Sequence, residues 1–277
     1  MKFNNKENSN KKSHLLSFKR KYLCIPYSVF LILFIIVPVI IIVCYAFTDS
    51  NGWFSFQSFI DFFTTWSKIS CLIVSVFIAL QTTILCLLIG YPLSYFLANR
   101  KINKNVVLYT LFIAPMWINF VLRTGATRDL LSWLNINGGN YPYLATLIGM
   151  TYNYLPFVIL PLYTTMLKLD KSQIEAASDL GATPFQVFYK TIIPQSFPGI
   201  VSACLMTFMP TMSSYVISDT LSEGKITLFG NYIYLDFTNN AWNDGSFLAF
   251  IMLIIIGISM LLTKNVSKEE TRGGGLW

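Results

Sequence analysis

The sequence predicts an all-α, polytopic membrane protein with about six transmembrane helices. Apolar residues make up 54% of the 277 positions and charged residues only 12%, and the mean hydropathy is +0.56. An average soluble domain carries about 25% charged residues, so this composition indicates a bilayer environment. The second observation is a series of apolar windows, most of them near the ~20 residues that cross a hydrocarbon core.

The windows follow one another along residues 23–263, which we assign to one transmembrane domain. Proline or polar residues interrupt them near Ala114, Pro156 and Pro210. Spanning helices tolerate such residues where neighbouring helices satisfy the freed carbonyl groups. The predicted helices cover residues 23–47, 69–98, 106–123, 144–167, 193–220 and 247–263.

The first window could also be a cleaved signal peptide, because basic residues at 19–21 precede it. Its apolar run is longer than the ~7–15 residues of a signal peptide core, and no small-x-small cleavage pattern follows Cys44. We therefore expect this segment to remain as the first helix.

Lys and Arg residues are distributed very unevenly between the predicted loops. Sixteen lie on the side that holds the N-terminus, against four on the other side, namely Lys68, Arg123, Arg128 and Lys225. Because basic loops stay in the cytoplasm, we expect the tails 1–22 and 264–277, and the loops after helices two and four, to be cytoplasmic. The insertion rule and anionic lipid explain the basic tail, so no nucleic-acid partner is expected.

Motifs for catalysis, nucleotide binding or metal binding are missing from the sequence. His14 is the only histidine, the five cysteines lack CxxC spacing, and the segment 224–227 (GKIT) lacks the preceding glycine of a phosphate loop. We expect a non-catalytic chain that binds no cofactor or metal itself. An ion-coupled secondary transporter would carry a mid-membrane acidic residue or inverted repeats, and neither is found.

The loop 170–194 has the signals of two short helices joined by a tight turn. Asp170 with Gln173 has the spacing of an N-terminal capping box, and Gly181 supplies the left-handed residue that ends a helix. Thr183 with Gln186 repeats the capping spacing for a second helix. The sequence therefore predicts an ordered cytoplasmic loop.

The surface of this loop combines small residues with one apolar face. Ala176 and Ala177 beside Glu175 favour close approach by another protein. The apolar residues at helical spacing, expected on one face, are Phe185, Phe188, Tyr189 and Ile192. An amphipathic linker on lipid headgroups would have the same pattern, so this alternative stays open.

The segment Glu175-Ala176-Ala177, with Gly181 and the Ile-Ile-Pro of 192–194, resembles the EAA signature of permease subunits of binding-protein-dependent ABC importers. The sequence departs from the usual pattern at Thr191 and Ile193. The resemblance implies the type I permease fold, in which this loop is the coupling helix for a cytoplasmic ATPase. It assigns Glu175, Ala176, Ala177 and Gly181 to ATPase coupling.

The same resemblance implies a set of partners in a prokaryotic plasma membrane. These are an ABC ATPase dimer, which uses ATP and Mg²⁺, a second homologous permease subunit, an extracytoplasmic binding protein and membrane lipid. Segments 90–100, 114–124, 155–182, 198–205 and 216–221 look like the spermidine/putrescine permeases of this family, which implies a polyamine substrate. An importer of another small solute is the alternative.

Charge on the outward loops agrees with a cationic substrate. These loops contain seven carboxylates and four basic residues, and their net negative charge would attract cations. Topological sorting of Lys and Arg explains the same imbalance, so both interpretations stay open. Asp219 and Glu223, at the outer end of helix five, are the candidate acceptors.

Polar residues inside the spans are candidates for a translocation path, because lipid exposure would be costly. A stripe along helix five (Cys204, Thr207, Thr211, Ser214, Ser218) fits either a pore lining or close helix packing. In helix three, Asn119 shares a face with Met116 and Arg123, and Arg123 is expected to pair or snorkel near the outer interface. Helix four is expected to be interrupted at Tyr152, Asn153 and Tyr154. Aromatic rings at this point could hold an alkylammonium group.

Overall fold

The computed structural model describes residues 24–49, 51–99 and 107–273, and these are folded almost entirely into helices. Their only extended pairing is an isolated bridge between Thr48 and Phe54. Within these described residues, five helices are long and apolar enough to cross a membrane, and a bent pair of helices makes a sixth crossing when it is counted as one span. The predicted all-α membrane fold is confirmed.

Each predicted window corresponds to a span, but several boundaries differ. The first span consists of α1 (Cys24–Leu31), a π-helical turn (Ile32–Ile36) and α2 (Val37–Ala46). The last, α13 (Trp242–Gly273), runs well beyond residue 263. The remaining spans are α4 (Trp66–Ala98), α5 (Val107–Ile113) with α6 (Phe120–Trp133), α7 (Pro142–Met166), and α9 (Pro184–Val187) with α10 (Ile193–Ser213).

Four further helices lie between the spans in the described part of the chain. Two of them, α3 and α12, were not expected from hydropathy because each is too short to cross a membrane. Their bounds, with α8 and α11, are α3 (Gln57–Thr64), α8 (Lys171–Asp179), α11 (Tyr215–Ser222) and α12 (Phe229–Thr238).

The third span is bent, and the prediction of one helix over 106–123 is wrong. After α5, a 3₁₀ turn (Ala114–Trp117) ends the first segment, and α6 leaves at an angle of 100° to it. Pro115 removes a backbone donor at this point, and Asn119 then caps α6 by accepting from the Val121 N–H at 2.9 Å. Met116 and Asn119 therefore share no helix face with Arg123.

The fifth span also differs from its prediction. It is helical from Pro184 to Ser213, with a π-helical turn at Phe188–Ile192, and it breaks at Ser214. Pro210 lies one turn before this break, where its ring removes a helical hydrogen bond. The predicted helix over 193–220 is therefore two helices, α10 and α11.

Helices α4, α7 and α10 pack together around the main apolar core. Wholly buried members of this core come from all three helices and include Ile78, Met150, Leu162 and Ala203. The first span instead leaves most of its large apolar side chains exposed, as a lipid-facing helix does. Because successive spans cross in alternate directions, the connections 47–65, 134–141 and 214–241 lie on the side opposite to α8.

Candidate functional site

The two breaks, at Ile118–Asn119 and at Ser214, enclose a cavity of about 550 Å³ together with α7. Irregular backbone is tolerated at membrane depth only where it is buried in protein or lines a water-filled cavity. Polar side chains from both breaks and from α7 line this space, as do several aromatic rings. The lining includes Asn119, Arg123, Asn153, Ser214, Trp117, Tyr154 and Tyr215.

Arg123 fastens the break in the third span to α7. Its Nε donates to Asn153 Oδ1 at 2.7 Å, and its Nη1 donates to the Pro115 carbonyl at 2.7 Å. The side chain is only 7% exposed, and no described carboxylate lies within 4 Å of it. The prediction that Arg123 pairs or snorkels at the outer interface is wrong, because neutral oxygens on α7 and at the break satisfy the guanidinium inside the protein.

The segment Tyr152–Tyr154 does not interrupt the fourth span, since α7 is continuous through it. Asn153 is fully buried, and its Nδ2 donates to the Gly149 carbonyl at 2.8 Å while its Oδ1 holds Arg123. Tyr152 faces the Arg123 guanidinium at 5.7 Å from its ring centroid and lies outside the cavity. Only Asn153 and Tyr154 of this segment line the cavity.

The polar stripe predicted on helix five is divided by the break at Ser214. Thr207 and Thr211 are wholly buried, and the Thr211 hydroxyl donates to the Thr207 carbonyl at 2.6 Å. Ser218 lies on α11 and donates to the Ile226 carbonyl. Of this stripe only Ser214 lines the cavity, so the other residues act in packing here.

The break at Ser214 is held closely by α12. A Cβ at Gly230 would lie 2.4 Å from the Ser213 carbonyl oxygen, so only glycine permits this approach. The sequence pattern carried no signal for this contact, because it joins residues of two different elements across a turn.

The acidic residues Asp219 and Glu223 are exposed on and just after α11, outside the cavity lining. Within the described residues neither forms an ion pair, and the Lys225 ammonium donates instead to the Gly139 carbonyl. Asp219 therefore pairs with neither Arg123 nor Lys225. Their role as acceptors at the outer mouth remains a prediction.

Most of the predicted helix signals of loop 170–194 are found in the structure, but Asp170 and Gln173 do not form a capping box, because the Asp170 N–H donates to Gln195 Oε1 and not to Gln173. Asp170 Oδ1 accepts from the Ser172 N–H at 3.0 Å, and the Ser172 hydrogen bonds lower the pKa of this carboxyl below its usual value. Gly181 has a φ of +82°, and the Ala182 N–H closes the turn by donating to the Ala177 carbonyl at 3.1 Å. Thr183 and Gln186 form the capping box of α9.

The outer face of this loop combines small, acidic and large apolar residues. Glu175 and Ala176 are exposed, and Ala177 is half-buried. Leu180 is 89% exposed and Phe185 is 75% exposed, although both are large apolar side chains. Such exposure indicates a contact surface for another protein.

The prediction of one apolar face over residues 185–192 is wrong. Phe185 and Tyr189 point outward, whereas Ile192 is buried and the Phe188 ring packs edge-on to Tyr91 with 5.6 Å between ring centroids. The π-helical turn at Phe188–Ile192 adds a residue to this part of the helix and rotates the later side chains away from their α-helical positions.

Comparison with known families assigns the class of protein. A family model described as binding-protein-dependent transport system inner membrane component matches residues 90–268, a range that contains both broken spans and the capped loop. The chain belongs to this family of transporter permeases. It is therefore a multi-pass membrane protein of a transport system.

Two characterised relatives share most of their length with this chain. The spermidine/putrescine transport system permease protein PotB of Escherichia coli (strain K12) is 34% identical over 205 residues, covering 69% of this chain and 74% of the relative. PotB of Haemophilus influenzae is 29% identical over 269 residues, covering 87% and 92%.

Solved structures share the fold at much lower identity. A bacterial ABC transporter that imports the acidic polysaccharide alginate has a TM-score of 0.67 at 16% identity, covering 90% of this chain and 94% of that chain. A bacterial alginate ABC transporter in complex with an alginate pentasaccharide-bound periplasmic protein has a TM-score of 0.63 at 16% identity, with the same coverage. The predicted importer-permease fold is confirmed.

Proposed function

We propose that this chain is one permease subunit of an ATP-driven importer for polyamines of the spermidine and putrescine type. The substrate class rests on the identity shared with the PotB relatives. The permease role rests on one structural observation, a continuous helix that joins an exposed cytoplasmic loop to the cavity at the two breaks.

This helix can transmit a movement of the cytoplasmic loop to the wall of the cavity. Residues 184–213 form 30 consecutive helical residues, a rod of about 45 Å at 1.5 Å per residue. Phe185 and Tyr189 lie exposed at its cytoplasmic end, and Ser214 lines the cavity just beyond its other end. A partner that moves the loop 170–194 therefore moves one wall of the cavity.

The proposed partner at the loop is a pair of ABC ATPase subunits, which bind ATP and Mg²⁺, whereas this chain binds neither. Glu175, Ala176, Ala177 and the turn at Gly181 contact the ATPase, and the exposed Leu180 side chain adds apolar area to that face. A second, homologous permease subunit completes the translocation path. An extracytoplasmic binding protein delivers the polyamine on the side opposite to α8.

Asn119, Asn153 and Ser214 are the proposed path residues that line the cavity. Tyr152 and Thr211 do not line it in this conformation, because Tyr152 faces Arg123 and Thr211 is buried between helices. The described lining holds one guanidinium and no carboxylate, so a cation can be contacted there only by neutral oxygens and aromatic rings, and such contacts are weak. Weak contact suits transport, since a substrate bound tightly would not leave.

Purification with its native partners, followed by reconstitution into vesicles, tests the function. We expect ATP-dependent accumulation of labelled putrescine or spermidine when binding protein is present, and none with a non-hydrolysable ATP analogue. Accumulation of a different solute with no competition by polyamines would contradict the substrate class. Uptake driven by a proton or sodium gradient without ATP would contradict the coupling to an ATPase.

The proposed orientation places the loop 170–194 in the cytoplasm and Asn51 outside. We expect Asn51→Cys to react with an impermeant thiol reagent added to intact cells, and Lys171→Cys to react only after the membrane is opened. Both side chains are exposed, so the comparison reports sidedness and not burial. The opposite labelling pattern would overturn the orientation.

A further inference from the structure

The connection between the first and second spans presents an unusually large set of apolar side chains to its surroundings. Trp53 is 78% exposed and Trp66 is 73% exposed, and five large apolar residues between them are also exposed. The five are Phe54, Phe56, Phe59, Ile60 and Phe63. A contiguous exposed patch of this kind marks a binding surface.

This connection has a defined backbone structure. The Asp49 N–H donates to the Trp53 carbonyl at 2.8 Å, and the Ser55 N–H donates to the Phe47 carbonyl at 3.0 Å, which closes a hairpin. The Asn243 side-chain amide ties the hairpin to α13 by donating to the Thr48 carbonyl. The exposed rings are therefore held in place by the fold.

Packing also fixes which side of α3 faces outward. Phe62 is buried, and its ring lies 6.4 Å from that of Phe229 and 6.0 Å from that of Phe247. With Phe62 directed at α12 and α13, Ile60 and Phe63 lie on the outer side of α3, whereas Phe59 is 44% exposed and its ring also lies 5.9 Å from that of Phe247. The helix α3 thus carries large apolar side chains on its outer side as well as on its inner side.

The position of α3 relative to the membrane indicates what its outer face contacts. Both ends of the connection, Ala46 and Trp66, are ends of membrane spans, so α3 lies at the membrane surface. The exposed patch is continuous with lipid-facing side chains of both spans, among them Tyr45 and Ile73. Tryptophan and other amphipathic or aromatic residues at this level are typical of the lipid–water interface.

The charge of this connection indicates whether its lipid contact involves neutral or anionic headgroups. Residues 47–67 contain Asp49 and Asp61 but no Lys or Arg. Anionic headgroups are bound through basic residues, so attraction to them is not part of this contact. The contact depends on apolar burial alone.

We propose that residues 53–66 form an interfacial anchor, with α3 lying in the headgroup region of the leaflet opposite to α8 and its outer face inserted among neutral lipids. The anchor holds the ends of the first, second and sixth spans at a fixed depth through Phe62, Phe229 and Phe247. This inference requires only that the chain spans a membrane, and it does not depend on the substrate or the ATPase.

Fluorescence quenching in lipid nanodiscs tests the anchor. The chain is purified with its associated subunits, its five cysteines are replaced by serine or alanine, and one environment-sensitive dye is attached through Phe63→Cys. Ile60→Cys serves as a second position on the same face, in case the first variant is unstable. Asn140→Cys, in the exposed connection 134–141 on the same side of the membrane, is the matched control.

At positions 63 and 60 we expect quenching by a lipid labelled just below its headgroup to be several-fold stronger than at position 140. Quenching by aqueous iodide should show the opposite order. Replacing neutral with anionic lipid, or raising the salt concentration, should leave both results unchanged. Strong iodide quenching at 63 and 60 would place the face in water, and protection from both quenchers would place it against another protein; either result overturns the proposal.

Discussion

Gly181 offers the sharpest test of the coupling surface, because its substitution changes backbone conformation and almost nothing else. The residue has a φ of +82°, and a Cβ built on it meets no atom within 4 Å. Any loss on substitution therefore reports the left-handed turn and not a steric clash. The turn matters because it joins α8 to α9 and so orients Glu175 and Ala176 relative to Phe185.

The free-energy cost of replacing Gly181 follows from its left-handed backbone conformation. A non-glycine L-residue in the left-handed region costs roughly 1–2 kcal/mol, which corresponds to a five- to thirty-fold smaller population of the native turn. Asparagine tolerates this conformation best, and β-branched residues tolerate it worst. We expect ATPase association and ATP-dependent uptake to fall in the order Gly, Asn, Ala, Val at position 181, with near-normal insertion of the chain.

Gly52 supplies a matched control, since it has a φ of +78° and equally open surroundings, on the opposite side of the membrane. Gly52→Val carries a similar backbone cost but should leave ATPase association intact. The measurement is co-purification of the ATPase, together with the initial uptake rate per inserted chain. Full association and uptake in Gly181→Val combined with Glu175→Ala would refute the coupling role of this loop.

Three other outcomes follow from the structure. Asp219→Asn keeps the shape of an exposed outer carboxylate without its charge, so uptake should slow most at low polyamine concentration while ATP hydrolysis continues; unchanged uptake at every concentration would show that Asp219 does not meet substrate. Arg123→Gln removes the guanidinium donors of the Pro115 carbonyl and of Asn153 Oδ1 and should lower the free energy of unfolding by about 2–4 kcal/mol, seen as faster thermal inactivation in detergent, whereas Arg128→Gln, an exposed pair with Asp129, should cost under ~1 kcal/mol. Burial raises the pKa of Asp236, so its ionisation opposes folding as pH rises above its ordinary value of 3.8; Asp236→Asn should therefore be more stable than the natural chain at pH 8 and lose that advantage towards pH 4, and an equal difference at both pH values would refute this assignment.

Much of the coupling surface could be predicted because its signals are local. The caps at Asp170 and Thr183 and the left-handed Gly181 each need only a few consecutive residues to act, so the sequence shows them directly. The exposed positions of Leu180 and Phe185 were not predicted. Apolar residues on a helix usually point inward, and only the packing of α8 and α9 against their neighbours shows that these two do not.

The cavity could be predicted only in part. Asn119, Asn153 and Ser214 were chosen as polar residues in apolar segments, and all three line the cavity. Thr211 was chosen for the same reason, yet it is buried between helices, and its hydroxyl donates to the Thr207 carbonyl of its own helix. Hydropathy measures the cost of lipid exposure and does not tell a pore from a helix contact.

The sequence by itself determined that the protein lies in a bilayer, how many times it crosses the membrane and where the capped helices begin. Composition and hydropathy are properties of the sequence itself, and a helix cap depends only on hydrogen bonds between neighbouring residues. The tertiary structure decided where the third and fifth spans break and that Arg123 is bound inside the protein. These features depend on acceptors from distant parts of the chain, such as Asn153 on α7 for Arg123 and the Gly230 contact at Ser213. A proline shows where a helix loses a hydrogen bond, but only the packed neighbours determine whether it bends, breaks or continues.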